Sequence, residues 1–144
     1  MVERPILKFK LLSPDAKLPS YAHTDDAGFD VYSIEEKTLK PGERHVFKTG
    51  LVSEIPVGWY VQFFSKSGLA AKAGLATLGG VIDTGYRGEW GVIAVNLGNE
   101  PITISKGDKV AQGIMLPITQ PKIVQSNKLT DAERGGGGFG SSGK

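Results

Sequence analysis

Apolar residues in this chain come in short runs, and almost none repeats with the ~3.6-residue period of a helix. Ile6–Leu12, Gly28–Tyr32, His45–Ile55, Trp59–Phe64, Gly91–Leu97 and Val110–Ile118 are rich in β-branched and aromatic residues, which predicts strands. Pro41-Gly42, Pro56-Val57-Gly58, Gly98-Asn99-Glu100-Pro101 and Lys106-Gly107-Asp108 are turn signals between them. Strands at this spacing predict an all-β sandwich or barrel. Ser67–Ala73 alone predicts a helix, with a serine start and Gly74 as its stop, and Leu129–Glu133 a further helical turn. No internal repeat or second domain is visible.

Val110–Ile118 is apolar on both strand faces apart from Gln112. A strand polar on neither face is buried on both. Two arrangements satisfy that pattern: a central strand of one sandwich, or a strand whose second face is covered by another subunit.

Composition narrows the classes. The length of 144 residues suits one domain with a real core. The net charge is +2 with 17 scattered Lys and Arg, so no basic stripe points to nucleic acid. There is no cysteine, which removes disulfides and thiolate metal sites, and the isolated His23 and His45 cannot form a zinc site. The start MVERPILKFK has charges where a secretory signal needs an apolar stretch, and no run reaches the ~18 residues of a membrane span. No membrane association and a cytoplasmic location are expected, or a nuclear one for a eukaryotic or viral source.

Four segments carry candidate chemistry. Gly79–Glu89 resembles a β-hairpin whose glycines let a ligand approach the backbone, with Asp83 and Tyr86 near its turn. Asp83 follows two apolar residues, where partial desolvation favours a proton acceptor; an ordinary Asp-Gly turn is the competing reading. Ser65–Ala70 offers Lys66 and two hydroxyls where a strand meets a helix start, either an anion site or a plain serine cap. Asp25, Asp26 and Asp30 gather around Gly28 and could hold Mg²⁺ through water. The last eleven residues contain six glycines and a single aromatic, Phe139, which has no core of its own to join. Gly138–Lys144 spells most of a P-loop, but without a Ser/Thr and helix after Lys144 the match is accidental.

Order joins these segments. Ala27-Gly-Phe-Asp-Val-Tyr32, Ser65-Lys-Ser-Gly-Leu-Ala70, Gly80-Val-Ile-Asp-Thr-Gly-Tyr-Arg-Gly88, Gly107-Asp-Lys-Val-Ala-Gln112 and Arg134-Gly-Gly-Gly-Gly-Phe-Gly-Ser-Ser142 resemble the five motifs of the trimeric deoxyuridine triphosphate pyrophosphatases (dUTPases). The resemblance implies a homotrimer of all-β jelly-roll subunits, a β-clip type of distorted barrel with one short helix. Residues 1–133 would form the β-domain and 134–144 a mobile lid over an active site shared between subunits. The implied reaction splits dUTP into dUMP and pyrophosphate with Mg²⁺, keeping uracil out of DNA and supplying dUMP for thymidylate synthesis.

The resemblance also implies roles. Asp83 is similar to the general base, and Tyr86 to the aromatic packed under the deoxyribose. The backbone of Gly80, Val81 and Ile82 would pair with the uracil edge. Lys66, Ser67 and Gly68 would contact phosphate, Asp30 would reach Mg²⁺ through water, and Gln112 would support the subunit junction. From the tail, Phe139 would cover the uracil, Arg134 would fork onto the γ-phosphate, and Gly140, Ser141 and Ser142 would close over the phosphates. Two departures from the family pattern stand out: Lys66 replaces a usual arginine, and Gly85 replaces a frequent second acid.

Two alternatives remain open. A deoxycytidine triphosphate deaminase shares the fold, and Trp90 after Gly88 leans that way, but its glutamate would fall near Ile93 and Gly91–Leu97 contains no acid. A dUTP-sensing regulatory protein with a protein partner is the other.

Overall fold

The computed structural model describes residues 3–143 and is all-β apart from one short helix. The elements are β1 (Lys8–Leu11), β2 (Phe29–Tyr32), β3 (Lys37–Leu39), β4 (Arg44–Lys48), β5 (Leu51–Glu54), β6 (Trp59–Phe64), α1 (Ser67–Ala73), β7 (Leu75–Leu78), β8 (Val81–Ile82), β9 (Gly91–Asn96), β10 (Ile102–Ile104) and β11 (Lys109–Pro117). They form four small antiparallel sheets, ordered β1-β5, β10-β3, β2-β11-β6-β8 and β4-β9-β7. Non-consecutive neighbours throughout mean that the chain crosses repeatedly between layers.

Several elements differ from what the pattern predicts. The run His45–Ile55 is two strands, because Gly50 takes φ +69° and sends β5 to β1 while β4 stays with β9. A side chain at Gly50 would lie 2.8 Å from Ala16 Cβ, so the break is also tightly packed. β3, β7, β8 and β10 are two to four residues long, too short for alternation to reveal. Gly79–Glu89 is not a two-stranded hairpin: β7 pairs with β9, β8 pairs with β6, and the glycines between them carry the chain across sheets. Leu129–Glu133 is not helical, and Leu129 packs against nothing that would hold a single turn in water.

The helix has the predicted limits and a different start. Lys66, in an extended conformation and without a side-chain cap bond, occupies the N-cap, so Ser67 is the first helical residue. Gly74 ends it in the left-handed conformation at φ 78°, its N–H directed at the carbonyls of Ala70 and Leu69. Seven residues cannot hold a helix alone; Leu69 and Ala73 pack on the core and supply what propensity cannot.

The core centres on Trp90. Its ring lies 4.9 Å from Phe9, 5.4 Å from Phe63 and 6.3 Å from Phe29, reaching β1, β6 and β2 at once. It is fully buried, and its indole N–H donates to Ser53 Oγ at 2.9 Å. Its backbone N–H donates to Leu51 O and its carbonyl accepts from Thr49 Oγ1 at 2.6 Å. Every polar atom of the residue is therefore paired.

β11 lies between β2 and β6. Ala111 and Gly113 face the core, whereas Gln112, Ile114 and Leu116 on the other face are only partly buried. The central-strand arrangement thus accounts for one face, and the second remains half open in the single chain. Across this outer face the register aligns Asp30, Gln112 and Phe64 in one row and Ile114, Gln62 and Val81 in the next.

Trp90→Ala should cost about 3–5 kcal/mol of stability, because it leaves a large cavity and an unpaired Ser53. Denaturant unfolding measures this directly; a loss below about 1 kcal/mol would remove Trp90 as the centre of the core.

Candidate active site

One half of the site is built around Asp30. Position 30 points away from the core between buried Phe29 and Val31, yet its carboxyl group is only 4% exposed as a residue. Lys66 Nζ binds Oδ1, and Lys109 Nζ lies 3.2 Å from Oδ2. Burial by itself raises the carboxyl pKa, but hydrogen bonds and charge from Lys66 and Lys109 outweigh it and hold Asp30 below its ordinary value. Two ammonium groups around one carboxylate leave a net positive charge at the start of α1. Exposed Ser67 and Gly68 form the first turn beside it.

Gln112 ties this cluster together. Its Nε2 donates to Ser65 O at 2.9 Å, fixing the segment that presents Lys66. Its Oε1 lies against Gly28, where any Cβ would sit only 2.5 Å away. Ser65 Oγ in turn accepts from Thr77 N–H at 3.0 Å. Asp25 and Asp26 do not join Asp30: Asp26 turns back to His23, whose N–H it accepts at 2.9 Å. Among the described residues no group of three His, Asp or Glu side chains could enclose a metal. Both Asp30 oxygens are held by lysines, so the residues fit at most a cation that keeps its own water and takes its other oxygens from an anionic ligand, with Asp30 as an outer partner.

The other half lies at the free edge of the same sheet, three strand spacings or about 14 Å from β2. Phe63 N–H donates to Gly80 O at 2.9 Å, and Gln62 and Ile82 then oppose Val81 and Val61. Antiparallel pairs alternate between bonded and open, so the N–H and C=O of Val81 face the open edge. Ile82 belongs to a bonded pair, its backbone faces β6, and its side chain enters the core. Of the three predicted residues, the free edge therefore offers both backbone groups of Val81, while Gly80 has only its N–H without a backbone acceptor among the described residues.

Asp83 follows immediately and is exposed in the single chain, so its desolvation is not supplied by its own chain. Its carbonyl accepts from Tyr86 N–H at 3.1 Å, and Thr84 Oγ1 donates to Trp59 O at 2.5 Å, which fixes the loop on β6. The Tyr86 ring folds over Gly88, where a Cβ would meet the phenol oxygen at 2.4 Å, and the hydroxyl donates to Glu89 O at 2.9 Å. Gly88 thereby leaves room for the ring against its own loop, where it stays partly exposed.

The tail joins neither half. Its hydrogen bonds are local, among them Arg134 Nε to Gly137 O at 2.7 Å, Ser141 N–H to Gly138 O and Gly143 N–H to Gly140 O. Phe139 is fully exposed and is the one non-glycine described residue with positive φ, at 52°. Ser142 is exposed as well, and Lys144 lies outside the described residues.

Sequence reasoning overlooked Lys109 as part of this centre. It lies within a segment that the motif pattern contains, but only the pairing of β2 with β11 shows that Lys109 reaches Asp30.

A family model of dUTPases matches residues 14–143. The deoxyuridine 5′-triphosphate nucleotidohydrolase of Nautilia profundicola is 46% identical over 140 residues, covering 96% of this chain and 99% of the relative. That of Clostridium tetani is also 46% identical, over 96% and 97%. Among solved structures, the dUTPase of Staphylococcus bacteriophage 80alpha with dUpNHpp superposes with a TM-score of 0.89 at 34% identity, over 96% of this chain and 99% of that one. A variant dUTPase from phage phi11 of S. aureus, described with a coordinated structural Mg(II) ion, gives 0.80 at 30% identity, over 85% and 97%. A family match over most of the chain and relatives covered end to end, with the lysine-held Asp30 and the β8 edge that leads into Asp83 at opposite sides of one sheet, lead to one conclusion: the chain belongs to the dUTPase family.

Proposed function

We propose that this protein hydrolyses dUTP to dUMP and pyrophosphate by attack of water on the α-phosphorus. The observation that carries the reading is the edge of β8, where the unpaired N–H of Gly80 and the outward N–H and C=O of Val81 run directly into an exposed carboxylate, Asp83, and the ring of Tyr86. Base recognition, sugar contact and proton acceptor follow one another along seven residues.

Asp83 accepts a proton from water as the new P–O bond forms, and the bond from the α-phosphorus to the bridging oxygen breaks. Pyrophosphate leaves with the electron pair of that bond, and Asp83 later returns its proton to solvent. Tyr86 packs against the deoxyribose and crowds the position of a 2′-hydroxyl. Lys66, Ser67 and Gly68 receive the phosphates at the positive end of the sheet face. Bound Mg²⁺ would spread the charge of the triphosphate oxygens, and Asp30 is the acid suited to hold its water shell.

The chain acts as a homotrimer in this reading, with sites completed by more than one copy. Support comes from the half-open outer face of the four-stranded sheet, where Phe64 and Val81 are exposed and Ile114 and Leu116 only partly covered around Gln112. The tail acts as a lid: Phe139 covers uracil, Arg134 takes the γ-phosphate, and Gly140, Ser141 and Ser142 close over the phosphate chain. Closing excludes water and strengthens each charge contact, while the glycines keep the open tail loose. Deamination of dCTP is disfavoured, since Ile93 lies between Val46 and Leu78 in an apolar row with no acid.

A panel of dUTP, dCTP, dTTP and UTP, assayed for pyrophosphate and ammonia with and without Mg²⁺, tests the activity. Pyrophosphate from dUTP is expected; ammonia from dCTP would overturn the assignment. Asp83→Asn should lower kcat by about 10²–10⁴-fold while a non-hydrolysable dUTP analogue still binds. A variant retaining most of its rate would exclude Asp83 as the base. A chain ending at Glu133 should remain folded and lose at least about tenfold in activity, as expected for removal of a lid. Normal hydrolysis by that chain would show that the tail is dispensable. Lys66→Arg should match or exceed the parent rate, because arginine can fork onto phosphate and Asp30 alike; a large loss would mean that the site is built around the lysine.

A further inference from the structure

Gly79 and Gly80 carry the chain from β7 into β8 with φ of +61° and +97°. Only glycine holds such angles easily. The consequence falls on the ladder with β6. Phe63 N–H donates to Gly80 O, but Gly80 N–H gives no return bond and finds no backbone acceptor among the described residues. Phe63 O is satisfied by a side chain instead: Gln62 Nε2 donates to it at 3.2 Å. The same nitrogen donates to Gly79 O, also at 3.2 Å. A primary amide has two N–H donors, so one group fills the missing rung and ties the crossover to β6. The fit is close, since a Cβ on Gly80 would lie 3.1 Å from Phe63 Cβ and 3.2 Å from Gln62 Nε2.

We infer that Gln62 is a positioning residue for base selection: by taking the ladder position that Gly80 vacates, it holds the crossover so that Gly80 N–H and the N–H and C=O of Val81 stay free to read a pyrimidine edge. This rests on the dUTPase reading of the β8 edge. Two N–H donors and one acceptor complement the two carbonyls and N3–H of uracil. Cytosine, with an amino group and an unprotonated N3, opposes that set at two of three positions. Gln62 acts through the backbone it restrains, where a small displacement of the donors weakens discrimination.

Gln62→Met keeps the length of the side chain and removes both N–H donors, whereas Gln62→Arg keeps donors at similar reach. KM and kcat for dUTP and dCTP are measured for the full-length parent and both variants, together with thermal unfolding. In Gln62→Met, KM for dUTP should rise about tenfold, with kcat altered less than about twofold, as expected for loss of about one well-made hydrogen-bond restraint. The preference for dUTP over dCTP should narrow, the melting temperature should stay at the parent value, and Gln62→Arg should recover most of the loss. Unchanged KM and selectivity in Gln62→Met would overturn the proposal, as would losses that follow a fall in melting temperature. Failure of the parent chain to turn over dUTP would overturn this inference together with the activity on which it rests, a result distinct from an inert Gln62 in an active enzyme.

Discussion

The buried indole of Trp90 is the constraint on which the other contacts depend. It touches aromatic side chains from β1, β2 and β6, while its backbone and ring nitrogen bond to Leu51, Thr49 and Ser53. Trp90 is the largest fully buried side chain among the described residues, and it joins the β1-β5 sheet to the β2-β11-β6-β8 sheet. Trp90 also follows directly after Gly88 and Glu89, so the loop that carries Asp83 and Tyr86 is anchored in the core at one end. At the other end Thr84 bonds to Trp59 O. A loop held at both ends keeps the exposed carboxylate of Asp83 at a fixed place, as the general base proposed for it would need.

The rest of the site divides by stiffness. The sheet face carries the groups whose spacing must be exact for recognition: the lysine pair on Asp30, Gln112 on Ser65, and the edge of β8. The tail carries the groups that, in the proposed lid, would come and go. It has glycines in place of a core, and Arg134 closes only its own turn. Such a segment loses much conformational entropy on docking, so the contacts it makes over a nucleotide must outweigh that cost. Mobility and a role in closure are compatible for the same reason.

Legibility in the sequence followed the length scale of each feature. Trp59–Phe64 and Ser67–Ala73 were readable to the residue, because a run of six or seven residues with clear stop signals has one good solution. The division at Gly50 was not, since a lone glycine inside an apolar run is silent until Ala16 is found against it. The apparent hairpin at Gly79–Glu89 misled for a related reason: turn chemistry was correctly read, but pairing partners lay in β6 and β9. Lys109 and Gln62 escaped notice because nothing in their local spelling distinguishes them from other polar residues on strands.

By itself, the sequence determined the all-β class, the short helix, the order of five chemically distinctive segments and the family they indicate. Those properties depend on residue type and spacing along the chain, which a linear reading preserves. Tertiary structure alone decided that Asp30 is enclosed by Lys66 and Lys109, that Ile82 turns its backbone inward while Val81 leaves its own free, and that Gln62 replaces a backbone donor. Each of these depends on strand register, and a shift of one residue would point every side chain to the opposite face.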